Sequence, residues 1–152
     1  MKNIIKIVLL IAVIPLAFCG CMRCENKTVV TSPFVESFLA NYSYELTDSS
    51  GNKLAEGKMK TRIYTEPDFT GTFTSAKLTE DNPLSILSAD GKLTGTLDEK
   101  NKKAFINMNP GIADDNVFLR FTVSESTLDG TWERSGMTGI KGKGIFKATK
   151  IK

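Results

Sequence analysis

The residues of this chain able to do chemistry are few, and their arrangement argues against catalysis. No histidine occurs in the 152 residues, which removes the usual general base near neutral pH, the Ser-His and Cys-His pairs and the commonest metal ligand. Glu125 and Glu133, on stretches that read as neighbouring strands, are the one candidate acid–base pair of carboxylates; charged residues also line the wet face of any sheet. Asp114-Asp115-Asn116 offers oxygens to a cation but has neither the spacing nor the glycine of a calcium loop, so a turn closed by Asx hydrogen bonds is expected there. The glycines sit singly, without the clustering of a phosphate loop. The expectation is a protein that is not an enzyme and needs no metal or cofactor.

The other reactive groups are three thiols, Cys19, Cys21 and Cys24. A start carrying Lys2 and Lys6 leads into a largely apolar run from Ile7 to Phe18 and then into Cys19-Gly20-Cys21-Met22-Arg23-Cys24. The run is shorter than the ~20 residues a spanning helix needs and reads as an export signal. It resembles a bacterial lipoprotein signal, in which cleavage falls just before a cysteine that carries a diacylglyceryl group. Gly20 suits the tight pocket preceding the cut better than Phe18, so Cys21 is the expected lipidation site, with Cys19 as the alternative. Cleavage by the general signal peptidase, with the cysteines as plain small residues, is the competing reading. The resemblance implies a cleaved signal peptide over 1–20, a membrane partner reached through N-terminal acyl chains such as palmitate, and a place in the cell envelope. Because Met22 is not an aspartate-type retention residue, it further implies the outer membrane in a host that sorts by that rule. Each buried methylene of such chains contributes about 0.8 kcal/mol, enough for two or three chains to anchor stably. Cys21 and Cys24 have a redox-like spacing but neither the preceding strand nor the following helix of a redox motif.

Removing residues 1–20 leaves 18 basic and 17 acidic side chains, a net charge of +1. That balance excludes the strongly basic face a nucleic-acid partner requires. The one basic cluster, Lys141, Lys143, Lys147, Lys150 and Lys152, reads as the solvated outer face of a last strand. Residues 21–40 form a tether and lead-in. Within it Ser32-Pro33-Phe34-Val35 pairs a helix-capping serine with a proline at the first helical position, predicting a turn or two of helix with Phe34 above Phe38.

From Asn41 the hydrophobic period becomes two, and turn signals arrive regularly, which divides 41–152 into eight candidate strands near 41–48, 53–65, 71–79, 92–98, 103–108, 116–123, 127–134 and 143–151. Val117, Leu119, Phe121 and Val123 share one face, while Phe118, Arg120 and Thr122 take the other. Leu93-Thr94-Gly95-Thr96-Leu97 and Leu128-Asp129-Gly130-Thr131-Trp132 echo each other, each with a glycine on the apolar face where a bend or a large neighbour must fit. The longest connection, 80–90, contains Asn82-Pro83-Leu84-Ser85-Ile86-Leu87, a candidate short helix covering one end. The fold class predicted is all-β, an eight-stranded antiparallel up-and-down β-barrel following the signal peptide, with an open sandwich as the alternative.

The stretch Asn107-Met108-Asn109-Pro110-Gly111-Ile112-Ala113-Asp114-Asp115-Asn116-Val117-Phe118-Leu119, with Gly130-Thr131-Trp132 and Gly144-Ile145-Phe146-Lys147-Ala148, is similar to uncharacterised small bacterial lipoproteins with a lipocalin- and avidin-like, calycin-type barrel. In lipocalins and avidins the Gly-x-Trp element belongs to the first strand and here it falls in the seventh. The resemblance therefore implies architecture and a cavity, and no particular ligand. On the residues themselves, Tyr42, Tyr44, Met59, Leu93, Phe121 and Trp132, together with Ile63 and Leu97, are the candidate interior. They line a pocket for a small apolar ligand or simply fill the core; the phenols and indole need polar partners in either case. Two functions follow as expectations: a non-catalytic carrier of a small or apolar ligand or envelope component, with 80–90 over its mouth, or a filled barrel acting as a structural protein or inhibitor that touches an envelope protein through loops such as 109–116.

Overall fold

A computed structural model gives the fold of residues 31–77 and 82–152; Cys19, Cys21, Cys24 and the expected signal lie outside the described residues. Eight strands run in chain order, β1 (Asn41–Thr47), β2 (Lys53–Thr65), β3 (Asp68–Lys77), β4 (Asp90–Asp98), β5 (Lys103–Asn107), β6 (Asp115–Val123), β7 (Thr127–Gly136) and β8 (Gly139–Lys150), preceded by the helix α1 (Pro33–Phe38). Each strand pairs antiparallel with the next, and β1 also pairs with β8, so the sheet closes on itself as an up-and-down barrel. Tyr44 shows the closure at one residue: it faces Gly57 on β2 and Ala148 on β8. A sandwich is thereby excluded.

The alternation that predicted strands also sorts the two faces. On β1, Tyr42, Tyr44 and Leu46 point inward while Asn41 and Ser43 face solvent. Leu93, Leu97, Ile106, Leu119, Leu128, Phe146 and Ala148 are buried on the other strands. The echoed glycines answer to close neighbours. A Cβ at Gly95 would sit 2.2 Å from the Phe105 carbonyl oxygen and 2.5 Å from the Phe69 ring, and one at Gly130 would sit 2.0 Å from the Arg120 carbonyl oxygen and 2.6 Å from the Phe121 Cβ.

Four local expectations need correction. Ile63, expected inside, is 69% exposed, because a register shift between Thr61 and Tyr64 interrupts the alternation that would have placed it beside Met59. The stretch 135–142, read as loop, extends β7 and β8 instead. A bulge between Arg134 and Ser135 and a tight turn between Gly136 and Gly139, whose φ of +103° disfavours any side chain, let the hairpin continue. Residues 82–87 form successive turns, with Ser85 N donating to Asn82 O and Leu87 N to Leu84 O, rather than a helix. Glu125 lies in the turn before β7, whereas Glu133 stands mid-hairpin opposite Phe118 and Lys143, so the two carboxylates do not form a pair.

Both ends of the barrel are covered. At the end where β1 begins, α1 is capped by Ser32, whose Oγ accepts from Val35 N at 3.2 Å. It turns Val35 and Phe38 into the core, leaving Phe34 only partly buried. The Phe38 carbonyl accepts from Thr61 Oγ1 at 2.6 Å and from the Tyr42 hydroxyl at 3.0 Å, and the Phe38 ring packs edge-on against Phe69 at 4.8 Å. At the opposite end Leu84 and Leu87 are fully buried. The Asn82 amide ties this plug down by donating to Leu54 O and accepting from Leu84 N. No described helix is long and apolar enough to cross a membrane.

Candidate functional site

The fold brings the six interior candidates onto one inner surface. Tyr42, Tyr44, Met59, Leu93, Phe121 and Trp132 are each between 0 and 4% exposed, with Phe121 tilted against Phe146 at 5.1 Å. What decides their chemistry is where the three polar tips go, since a buried hydroxyl or indole N–H without a partner is costly. The Tyr42 hydroxyl donates to Phe38 O, the Tyr44 hydroxyl to Thr74 O at 3.1 Å, and Trp132 Nε1 to Thr47 O at 2.7 Å. All three donors end on main-chain carbonyls. Burial pushes the Tyr42 phenol up to about 12 and raises Tyr44 as well, so neither ionises near neutral pH.

The plugs are held by charged groups outside the core. At the plug end, Arg134 Nε and Nη2 donate to the two oxygens of Asp115 at 2.8 and 2.6 Å, and Nη1 donates to Pro83 O at 2.7 Å. The guanidinium hydrogen bond holds the Asp115 carboxyl below its ordinary range. Asp115 thus serves Arg134, while Asn116 Nδ2 donates to the Ile112 and Ala113 carbonyls and closes the 109–116 loop. At the helix end, Glu99 accepts from Ser32 Oγ at 2.6 Å and from the Tyr64 hydroxyl at 2.8 Å. Desolvation and the Glu99 hydrogen bond push Tyr64 up to about 12.

No family model and no curated protein matches this chain.

Two outer features stand out. At the plug end, Ile112 in the β5–β6 loop and Met137 and Ile140 on the β7–β8 hairpin are 47, 83 and 61% exposed. Asp115 pairs with Gly136, so the two loops that carry them are neighbours. On the barrel wall, a groove of ≈ 450 Å³ runs over β4 to β7 with Phe105 and Arg120 in its lining. Strand alternation puts Phe118 and Arg120 on the wet face, but does not by itself single out Phe105 or the groove. The available signal was an aromatic residue at an outward position of an amphipathic strand, which the core does not require.

Proposed function

We propose that this protein is an exported, lipid-anchored barrel of the cell envelope that works by contact, without catalysis, its interior filled by its own side chains. The observation that carries the reading is the fate of the interior polar tips. Tyr42, Tyr44 and Trp132 each donate to a main-chain carbonyl, so the groups that would recognise a guest are engaged in holding the barrel together. Lids at both ends, built around Phe38 and around Leu84 and Leu87, support the same view. The working surface is then the plug-end rim, where Ile112, Met137 and Ile140 expose apolar area on adjacent loops. The partner proposed is another envelope protein. The anchor at Cys21, or alternatively Cys19, rests on the signal-like N-terminus.

Three measurements test this reading. Native mass spectrometry of the protein purified from its own host should give the polypeptide and acyl chains alone; a further small molecule that also shifts Trp132 emission would make it a carrier. Photo-crosslinkers at Met137 should capture one envelope protein reproducibly, and those at Ile63, also exposed but at the other end, should not. Cys21→Ser should release the protein from membranes. Release only on Cys19→Ser moves the anchor, and retention of the double variant overturns it.

A further inference from the structure

We propose that the outer wall of β4 to β7 carries a binding site for an acidic saccharide, in which Arg120 holds a uronate carboxylate and Phe105 and Phe118 support the sugar ring. This site is separate from the loop rim, and its test does not depend on that reading.

The aromatic floor is the first observation. Outward positions of a barrel strand are polar by default, yet Phe105 and Phe118 both face outward on β5 and β6 and stack at 5.4 Å with 29° between their planes. Neither ring is needed to fill the core; Phe105 lines the groove with Phe118 stacked beside it at its margin, and the ring surface that stays part-exposed suits the C–H face of a pyranose.

Arg120 is the second. It stands directly opposite Phe105 in the ladder, its guanidinium carbon 5.3 Å from the Phe105 centroid and 6.0 Å from that of Phe118. Asp129 and Glu133 lie on the adjoining strand, yet among the described residues Arg120 has no ion pair and its guanidinium makes no hydrogen bond. Cation–π contact fixes the guanidinium on the ring and leaves its hydrogen-bonding fork free, the geometry suited to a bidentate carboxylate. Lys103, in the same groove, is likewise without a carboxylate partner among the described residues.

The acids of the groove are already engaged. Both oxygens of Asp98 accept from Asn101, at 3.0 and 2.7 Å, and Asp129 Oδ2 accepts from Thr127 Oγ1 at 2.7 Å. The groove holds two acids and two bases, but the acids each accept from a neighbour while the Arg120 fork and the Lys103 ammonium have no carboxylate partner among the described residues, so a ligand carboxylate has charged donors to meet. The volume of ≈ 450 Å³ falls within the roughly 300–1,000 Å³ of small-ligand sites. The closed barrel also argues against an extended peptide. With β1 paired to β8 no edge strand is open, so a peptide cannot add a strand and recognition must come from side chains. A saccharide brings its own hydroxyls to the exposed Thr96 and Thr122 along the groove.

The test is calorimetric titration of the intact protein with trigalacturonate, a guluronate trimer and a hyaluronan hexasaccharide, each beside its methyl-esterified form. The expected result is saturable binding of at least one acid, weakened about tenfold or more both by esterification and by Arg120→Ala, as loss of a charge-assisted bidentate pair predicts. Arg120→Lys should retain part of the affinity, and Phe105→Ala should weaken binding while Trp132 emission stays native. Overturning results are equal binding of acid and ester, wild-type affinity in Arg120→Ala, no saturable binding of any acid at millimolar concentration, or preference for an acidic peptide over every saccharide.

Discussion

The indole of Trp132 on β7 reaches across β8 to the Thr47 carbonyl on β1, its Nε1 donating at 2.7 Å to a residue 85 positions away in the chain. The span is open because Gly144 lies between them on β8: a Cβ there would sit 2.6 Å from Nε1. The bond thus ties the first and seventh strands over the eighth, at the place where the barrel closes.

Gly144→Ala should accordingly destabilise the protein by about 3 kcal/mol or more, the upper end of the cost of forcing a methyl into a filled core, because the added carbon would also meet the Thr47 carbonyl oxygen at 1.9 Å. Urea unfolding followed by Trp132 emission measures it. An unchanged midpoint would mean that the indole is not confined against this strand.

The helix lid should matter as core does. Phe38 is 1% exposed and packs on Phe69, so Phe38→Ala should cost about 3–5 kcal/mol. Thermal unfolding measures that loss, and a cost near zero would reduce α1 to a surface appendage.

Arg134 joins the plug to the barrel through Asp115 and Pro83. Arg134→Met should speed hydrogen exchange at the Leu84 and Leu87 amides while strand amides in β1 and β8 keep their protection. The Asp115 carboxyl is depressed by its partner, so its contribution is present above the unfolded value of about 3.9 and is lost as pH falls through the folded value. Asp115→Asn should therefore flatten the acid limb of a stability–pH profile. A limb identical to wild type would show that Asp115 plays no part in it.

The three tyrosines should all titrate late. Tyr42 and Tyr64 are pushed up to about 12, and Tyr44 is raised by burial. A raised folded value means that the protonated phenol is favoured in the folded state. That stability is complete below the unfolded midpoint of about 10 and fades as pH rises toward 12. Ultraviolet titration of tyrosinate should show little ionisation at pH 10 and a steep rise where the barrel unfolds. Glu99→Gln should lower the Tyr64 midpoint alone, by removing a carboxylate that favours the neutral phenol.

Much of the barrel was legible in the chain because pleating is local. Successive side chains on a strand must point to opposite faces, so Tyr42, Tyr44 and Leu46 declare an inner surface wherever β1 ends up. Ser32 and Pro33 likewise announce the start of α1 through their own geometry. Gly95 and Gly130 advertise a crowded inner face, though not that the neighbours would be Phe69 and Phe121. Where a bulge breaks the period, local reading fails: Ile63 is turned outward by a shift that depends on how β2 meets β3.

Eight amphipathic strands, an interior of named aromatics and the lack of a histidine for catalysis are all written in the order of the residues. That β1 bonds to β8, that the interior tyrosines and tryptophan end on main-chain carbonyls, and that Arg120 lies on an outward aromatic pair without a carboxylate partner among the described residues emerge only in the folded sheet. The difference is one of range. Which face a side chain takes follows from its immediate neighbours along one strand, but what that side chain touches follows from the register between strands far apart in the chain, and that register exists only when the whole sheet has closed.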